Sequence, residues 1–203
     1  MVLTGSKINE EIRNKSILIR NYGKENVGTE SIDLTLGGAM KKLETNDNVF
    51  IPEYDAYMKC VNPSKQQVYT DLAPHEYPNR HLGEDQFGFF LRPGELYLAA
   101  TNEYIGTKKY HMALHDKSSL MRIGVSTHGN SGFGDLGFFG NWTLEIQVVK
   151  ETILFIGMTI CQISFQEVSG EVDYLYSDRK SSKYHLQEGP TESRIDHNFI
   201  DKL

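Results

Sequence analysis

Trp142, Leu144, Ile146 and Val148 alternate with Thr143, Glu145 and Gln147, which predicts a β-strand with one apolar and one polar face. Glu145 therefore sits on the polar side of an otherwise apolar strand. Such a carboxylate is either solvated or salt-bridged, or, where its face lines a pocket, a general base. Upstream, Lys117-Ser118-Ser119-Leu120-Met121-Arg122 packs two hydroxyls and two cations into six residues. These are the donor types that hold phosphate oxygens, although a plain polar turn has the same composition. Arg122 is the natural cation to keep Glu145 ionised and aimed. Between the two lies Gly132-Phe133-Gly134-Asp135-Leu136-Gly137-Phe138-Phe139-Gly140. Its glycines suit a hairpin whose main chain approaches a nucleobase edge, or simply a tight hairpin without a ligand. Asp135 is able to accept a hydrogen bond from a sugar hydroxyl or orient a water, and Phe138 to pack on the sugar and exclude a 2′-hydroxyl.

The histidines offer less. His111 and His115 have i, i+4 spacing, but the surrounding text reads as strand or loop, where that spacing does not bring two ligands together. His128 adjoins the glycine-rich segment as a candidate supporting residue. Zinc nucleobase deaminases carry an H-x-E segment and a later P-C-x-x-C, and this chain has neither. Any deamination here activates water without zinc.

These residues need elements to position them. The 203 residues suit one domain with a core that needs no disulfides. Net charge is −6 with no Lys/Arg block, so duplex nucleic acid is not an expected partner. Thr152 to Ile163, the most apolar run, is broken by Gly157, Thr159 and Gln162 and predicts no membrane span. The N-terminus lacks the layout of a secretory signal, making the cytoplasm the default location. Cys60 and Cys161 form no metal-type pair and read as reduced thiols.

Ser6 to Arg13 predicts a helix with Ile8 and Ile12 on one face. Ser31 to Leu36 alternates as a strand that Gly37-Gly38 should end. Residues 49–87 read as long loops with short strands. Phe89 to Thr101 predicts a hairpin around a type II turn at Arg92-Pro93-Gly94-Glu95. Ile153 to Phe165 adds strand, and the polar tail after Gly170 reads as mobile or as a lid. Short strands with turn punctuation argue for a mainly β, jelly-roll-like domain.

Taken together, the ordered set K-S-S-L-x-R, G-F-x-D-x-G-F-x-G, T-L-E and S-K-Y-x-x-Q resembles the dCTP deaminases, a branch of the trimeric dUTPase superfamily. The resemblance runs from Leu3-Thr4 through Gly28 to Gly37 and Leu91 to Glu95, and on to Ser177 to Tyr184 and Gly189-Pro190-Thr191. It implies a dUTPase-like distorted jelly roll with a short N-terminal helix, in which residues 1–203 form one domain and residues 171–203 a tail closing over the active site. It also implies a homotrimer with active sites between subunits. The activity implied is zinc-independent deamination of dCTP at C4, giving ammonia and dUTP, or continuing to dUMP and diphosphate. Magnesium would enter with the triphosphate, held mainly by its oxygens and by no protein cage.

By the same resemblance, Glu145 is the catalytic base, joined by Arg122, Ser118 and Asp135. Lys117, Ser119, Ser131, Phe138, Tyr176, Lys183 and Gln187 bind substrate. Gly132-Phe133, Lys117 and Gly189-Pro190-Thr191 look more like the dUMP-forming subgroup. Three departures stand out: Asn130-Ser131 where relatives read T-A, Gly134 and Leu136 flanking Asp135, which should loosen the hairpin, and Asp116 in place of glycine. Ser131 occupies a small-residue site whose backbone helps hold the water, so its hydroxyl is expected to rearrange that water. Two other readings stay open. One is a plain dUTPase that uses Asp135 to position the hydrolytic water. The other is a non-catalytic nucleotide-sensing module on the same fold.

Overall fold

The computed structural model describes residues 1–44, 69–79, 83–127, 129 and 131–198. Cys60, His128, Asn130 and most of the expected 49–87 loop region lie outside them.

Thr4 caps the first helix, α1 (Gly5–Arg13), by accepting a hydrogen bond from the Lys7 amide at 3.4 Å. Its apolar side buries Ile8 completely, with Ile12 packed partly buried beside it. The buried Glu11 is held by Lys7 at 2.9 Å and Lys109 at 3.1 Å. Strands are the dominant element of the rest of the described chain, and every pairing among them is antiparallel.

The strands are β1 (Ile17–Arg20), β2 (Ile32–Leu43), β3 (Tyr69–Asp71), β4 (His75–Asn79), β5 (Glu84–Leu91), β6 (Tyr97–Thr107) and β7 (Tyr110–Asp116). They continue with β8 (Val125–Ser126), β9 (Phe133–Gly134), β10 (Phe139–Val148), β11 (Thr152–Phe155) and β12 (Thr159–Glu167). The main sheet runs β8-β10-β6-β2-β12-β7-β9, with β1 added to β6 and β3 to β2. A smaller sheet runs β11-β5-β4. Phe89, Leu91 and Leu154 from the small sheet share one buried cluster with Leu34, Leu36, Met40 and Ile146 from the large one. This mainly β, curled antiparallel architecture with one short N-terminal helix is the fold class the sequence predicts.

Two local expectations are corrected. Gly37-Gly38 does not end a strand, because β2 continues to Leu43. The register against β6 shifts between Leu36 and Met40, and a Cβ on Gly37 would lie 2.9 Å from the Ala100 carbonyl oxygen. The glycine thus permits close backbone approach at a bulge. The turn at Gly94 forms with φ +81°, as a type II turn requires, yet β5 and β6 are no hairpin. β5 pairs β4 and β11, whereas β6 pairs β1, β2 and β10. The Arg92 amide donates to the Tyr97 hydroxyl at 2.9 Å, holding the turn as the chain passes between sheets. The apolar run from Ile153 is likewise divided at Gly157, so β11 joins the small sheet and β12 the large one.

Candidate active site

β10 shows the predicted alternation in full, with Trp142, Leu144, Ile146 and Val148 buried and Thr143 and Glu145 half-buried on the opposite face. One edge of β10 pairs β6, placing Leu98 directly beside Glu145. On the other edge β8 meets only Gln147 and Val148. The backbone groups nearer Phe139 need other partners, and the tail supplies them. The Leu186 amide donates to the Phe139 carbonyl at 2.7 Å, and the Asn141 amide donates to the Gln187 carbonyl at 3.1 Å. Gln187 Nε2 donates to the Asn141 carbonyl at 2.7 Å, and the Thr191 amide to Thr143 Oγ1 at 3.1 Å.

A cavity of about 550 Å³ results, walled by β10, the 131–138 segment and the tail. Glu145, Ser131, Asp135, Phe138, Tyr176 and Gln187 all line it. Ser131 Oγ donates to Glu145 Oε2 at 2.5 Å. Asp135 and Phe138 form a turn in which the Phe138 amide donates to the Asp135 carbonyl at 3.1 Å. Phe138 meets Trp142 and Tyr176 edge-on, at centroid distances of 5.4 and 6.1 Å. Tyr176 is fixed by its amide, which donates to the Leu136 carbonyl at 2.7 Å, and by its hydroxyl, which accepts from the Tyr184 amide at 3.0 Å.

The expectation that Gly134 loosens this hairpin is corrected. A Cβ there would lie 2.7 Å from the Trp142 indole and 2.8 Å from Met112 Cβ. Gly134 is the space into which the indole packs.

Sequence reasoning missed the far wall of the cavity, formed by Leu43, Tyr69, Leu96, Leu98, Ser193 and Ile195. Burial pushes the Tyr69 phenol up, with Glu192 adding to the effect. Glu192 in turn pairs with Lys41 at 2.6 Å. Strand register brings Leu98 beside Glu145, and the tail brings Ser193 and Ile195 to the same cavity; nothing in their local sequence signals it. Tyr184 and Thr191, by contrast, belong to segments already singled out.

The phosphate-type donors lie elsewhere. Lys117 pairs with Asp33 at 2.8 Å. Ser118–Met121 form a single helical turn, and Arg122 Nη1 donates to Ser118 Oγ at 3.4 Å. Ser118, Ser119 and Arg122 are exposed, and neither they nor Lys117 line the Glu145 cavity. Lys183 is also off the cavity wall, and its carbonyl accepts from Arg194 Nη1. Asp116 braces this region: its Oδ1 accepts from the Thr127 amide at 2.8 Å and from the Thr127 hydroxyl, and its Oδ2 from Ser126 Oγ at 3.3 Å. Around the same turn Met121, Ile123 and Val149 are 47%, 52% and 74% exposed.

His115 Nε2 lies 2.9 Å from Ser164 Oγ, and the His111 ring meets Phe133 at a 49° tilt with centroids 4.3 Å apart. Among the described residues no group of three His, Cys, Asp or Glu side chains is placed to hold a metal ion. Cys161 is buried and free, and burial pushes its thiol up. No helix of the described residues is long and apolar enough to cross a membrane.

The molecule is a curled antiparallel sheet with a cleft lined by the carboxylates of Asp135 and Glu145. Residues 2–168 match the family described as dCTP deaminase-like, and the chain belongs to it. Relatives named "dCTP deaminase, dUMP-forming" from Clostridium beijerinckii and Leptospira biflexa are each 34% identical, over 98% and 100% of this chain and 99% and 100% of theirs. The protein of that name from Clostridium acetobutylicum is 32% identical over 99% of this chain and all of its own. The crystal structure of 2′-deoxycytidine 5′-triphosphate deaminase from Agrobacterium tumefaciens superposes with a TM-score of 0.55 at 18% identity. It covers 82% of this chain, which spans 48% of that longer chain, and it supports the fold alone.

Proposed function

We propose that this protein deaminates dCTP hydrolytically at C4 and carries the product on to dUMP and diphosphate. The observation that carries the reading is Glu145, a half-buried carboxylate on β10 inside a cavity walled by Asp135, Phe138, Tyr176 and Gln187. In the first step Glu145 takes a proton from the water attacking C4 and passes it to the ring nitrogen, then takes the remaining proton from the new C4 hydroxyl and passes it to the departing ammonia. Water is consumed and the C4–N bond breaks, so dCTP and water give dUTP and ammonia. In the second step water splits dUTP to dUMP and diphosphate, and Asp135 orients that water. The shared name "dUMP-forming" among the relatives favours the two-step course over deamination alone.

The triphosphate brings magnesium as part of the substrate. Asp135 and Glu145 are the carboxylates lining the cavity among the described residues, and the triphosphate oxygens would supply most of the ion's ligands.

The phosphate-binding half is supplied by a second copy of the chain in a homotrimer. Lys117, Ser118, Ser119 and Arg122 lie off the Glu145 cavity yet offer the right donors, and the exposed apolar Met121, Ile123 and Val149 beside them suit a subunit contact.

Product analysis on dCTP tests the chemistry. Wild type should release ammonia and dUMP, and Glu145→Gln should lose ammonia release by about 10²–10⁴-fold while still binding dCTP. Turnover of dUTP without ammonia from dCTP would replace this reading with a plain dUTPase. Accumulating dUTP would confine the activity to deamination.

A further inference from the structure

We infer that Ser131 is a positioning residue for Glu145: its hydroxyl donates to the carboxylate and holds it in the orientation in which it acts as the base. The inference rests on Glu145 being the general base, as proposed above.

Ser131 enters the cavity just before β9, whereas Glu145 projects from β10. Ser131 Oγ reaches Glu145 Oε2 at 2.5 Å. A hydroxyl has a single proton, and an ionised carboxylate has none, so in this contact Ser131 is the donor. Oε2 is thereby held by a donor that does not belong to its own strand. The carboxylate plane is set by a group from a different segment than its own strand. A hydrogen bond donated to the ionised form also favours that form, which keeps the base unprotonated to lower pH.

The neighbourhood supports a functional contact over a packing one. Ser131 is exposed in the chain, so its hydroxyl does not need Glu145 to satisfy a buried donor. The hairpin behind it is braced without this contact, by the Leu114 amide donating to the Gly132 carbonyl at 2.8 Å and by β9 pairing β7. Removing the hydroxyl should therefore leave the hairpin standing and change the acid–base behaviour.

The test is the pH dependence of ammonia release from dCTP for wild type, Ser131→Ala and Ser131→Thr. Loss of the hydrogen bond raises the Glu145 pKa, so the acid limb of kcat/KM for Ser131→Ala should move up by about one pH unit. kcat should fall more than KM rises, with thermal stability unchanged. Ser131→Thr keeps the hydroxyl and should restore the limb towards wild type. If the alanine protein is poorly folded, Ser131→Cys, a far weaker donor of similar size, must show the same displacement. An unmoved acid limb in well-folded Ser131→Ala, or loss confined to KM, overturns the inference while leaving the proposed activity intact. Absence of ammonia release from wild type overturns the proposed activity itself.

Discussion

Mixing two impaired variants should regenerate activity if the site is shared between chains. The Glu145 cavity contains the base but none of Lys117, Ser118, Ser119 or Arg122, which sit beyond the β8 end of β10. In the proposed trimer each site takes Glu145 from one chain and Arg122 from its neighbour. Glu145→Gln alone should lower turnover by about 10²–10⁴-fold, as expected when a general base is removed. Arg122→Ala removes hydrogen bonds from a charged donor worth about 1.5–3 kcal/mol each, or a loss of roughly ten- to more than a hundredfold in kcat/KM. Each chain of a randomly assembled 1:1 mixture carries one intact half. A given site then has an intact Glu145 with probability one half and an intact Arg122 with probability one half. About one quarter of sites in such a symmetric assembly are fully native. Co-refolding the two variants from denaturant and measuring ammonia release should thus recover about a quarter of wild-type activity, well above either parent. Recovery no greater than the average of the parents would show that both groups act within one chain and refute the shared site.

Gly134→Ala should overpack the contact with Trp142 and Met112, costing about 1–3 kcal/mol in urea unfolding, and shortening the partner in Gly134→Ala/Trp142→Val should recover part of it. Full stability in the single variant would argue against that contact. Asp116→Ala strips the acceptor from the buried Thr127, with an expected cost of about 1–3 kcal/mol and a larger effect on KM for dCTP than on kcat. The Lys7 ammonium beside Glu11 holds its carboxyl at about 2 against an ordinary 4.5. A lowered native pKa contributes stability that is complete above the unfolded value and fades as pH falls from about 4.5 towards 2. Glu11→Gln should therefore be less stable at pH 7 and show a flatter acid limb in urea midpoints measured across that range. An unchanged acid limb would remove Glu11 from this role.

Much of the site was legible before the fold. Period-two alternation placed Glu145 on the polar face of its strand, because side chains on a pleated strand point to opposite sides whatever its neighbours are. The same local logic found α1 through its Ile8 and Ile12 spacing and the turn at Gly94 through the sign of φ that only glycine adopts easily. The hydroxyl and cation cluster at Lys117 to Arg122 was recognisable from donor chemistry alone.

What stayed hidden depends on partners far along the chain. Residue order could not say that β5 and β6 leave a correct turn into different sheets, or that β2 runs through its glycines against Ala100. It could not say that the tail lies on β10, or that Leu98 flanks Glu145. Arg122 looked like the natural companion of Glu145 because the two share a short stretch of sequence and have opposite charge. In the folded chain Ser131 occupies that place, and Arg122 turns to Ser118. Residue types and their local periodicity determined which groups can do chemistry and which way each strand presents them. Sheet register, which joins segments remote in sequence through backbone hydrogen bonds, decided which of those groups meet.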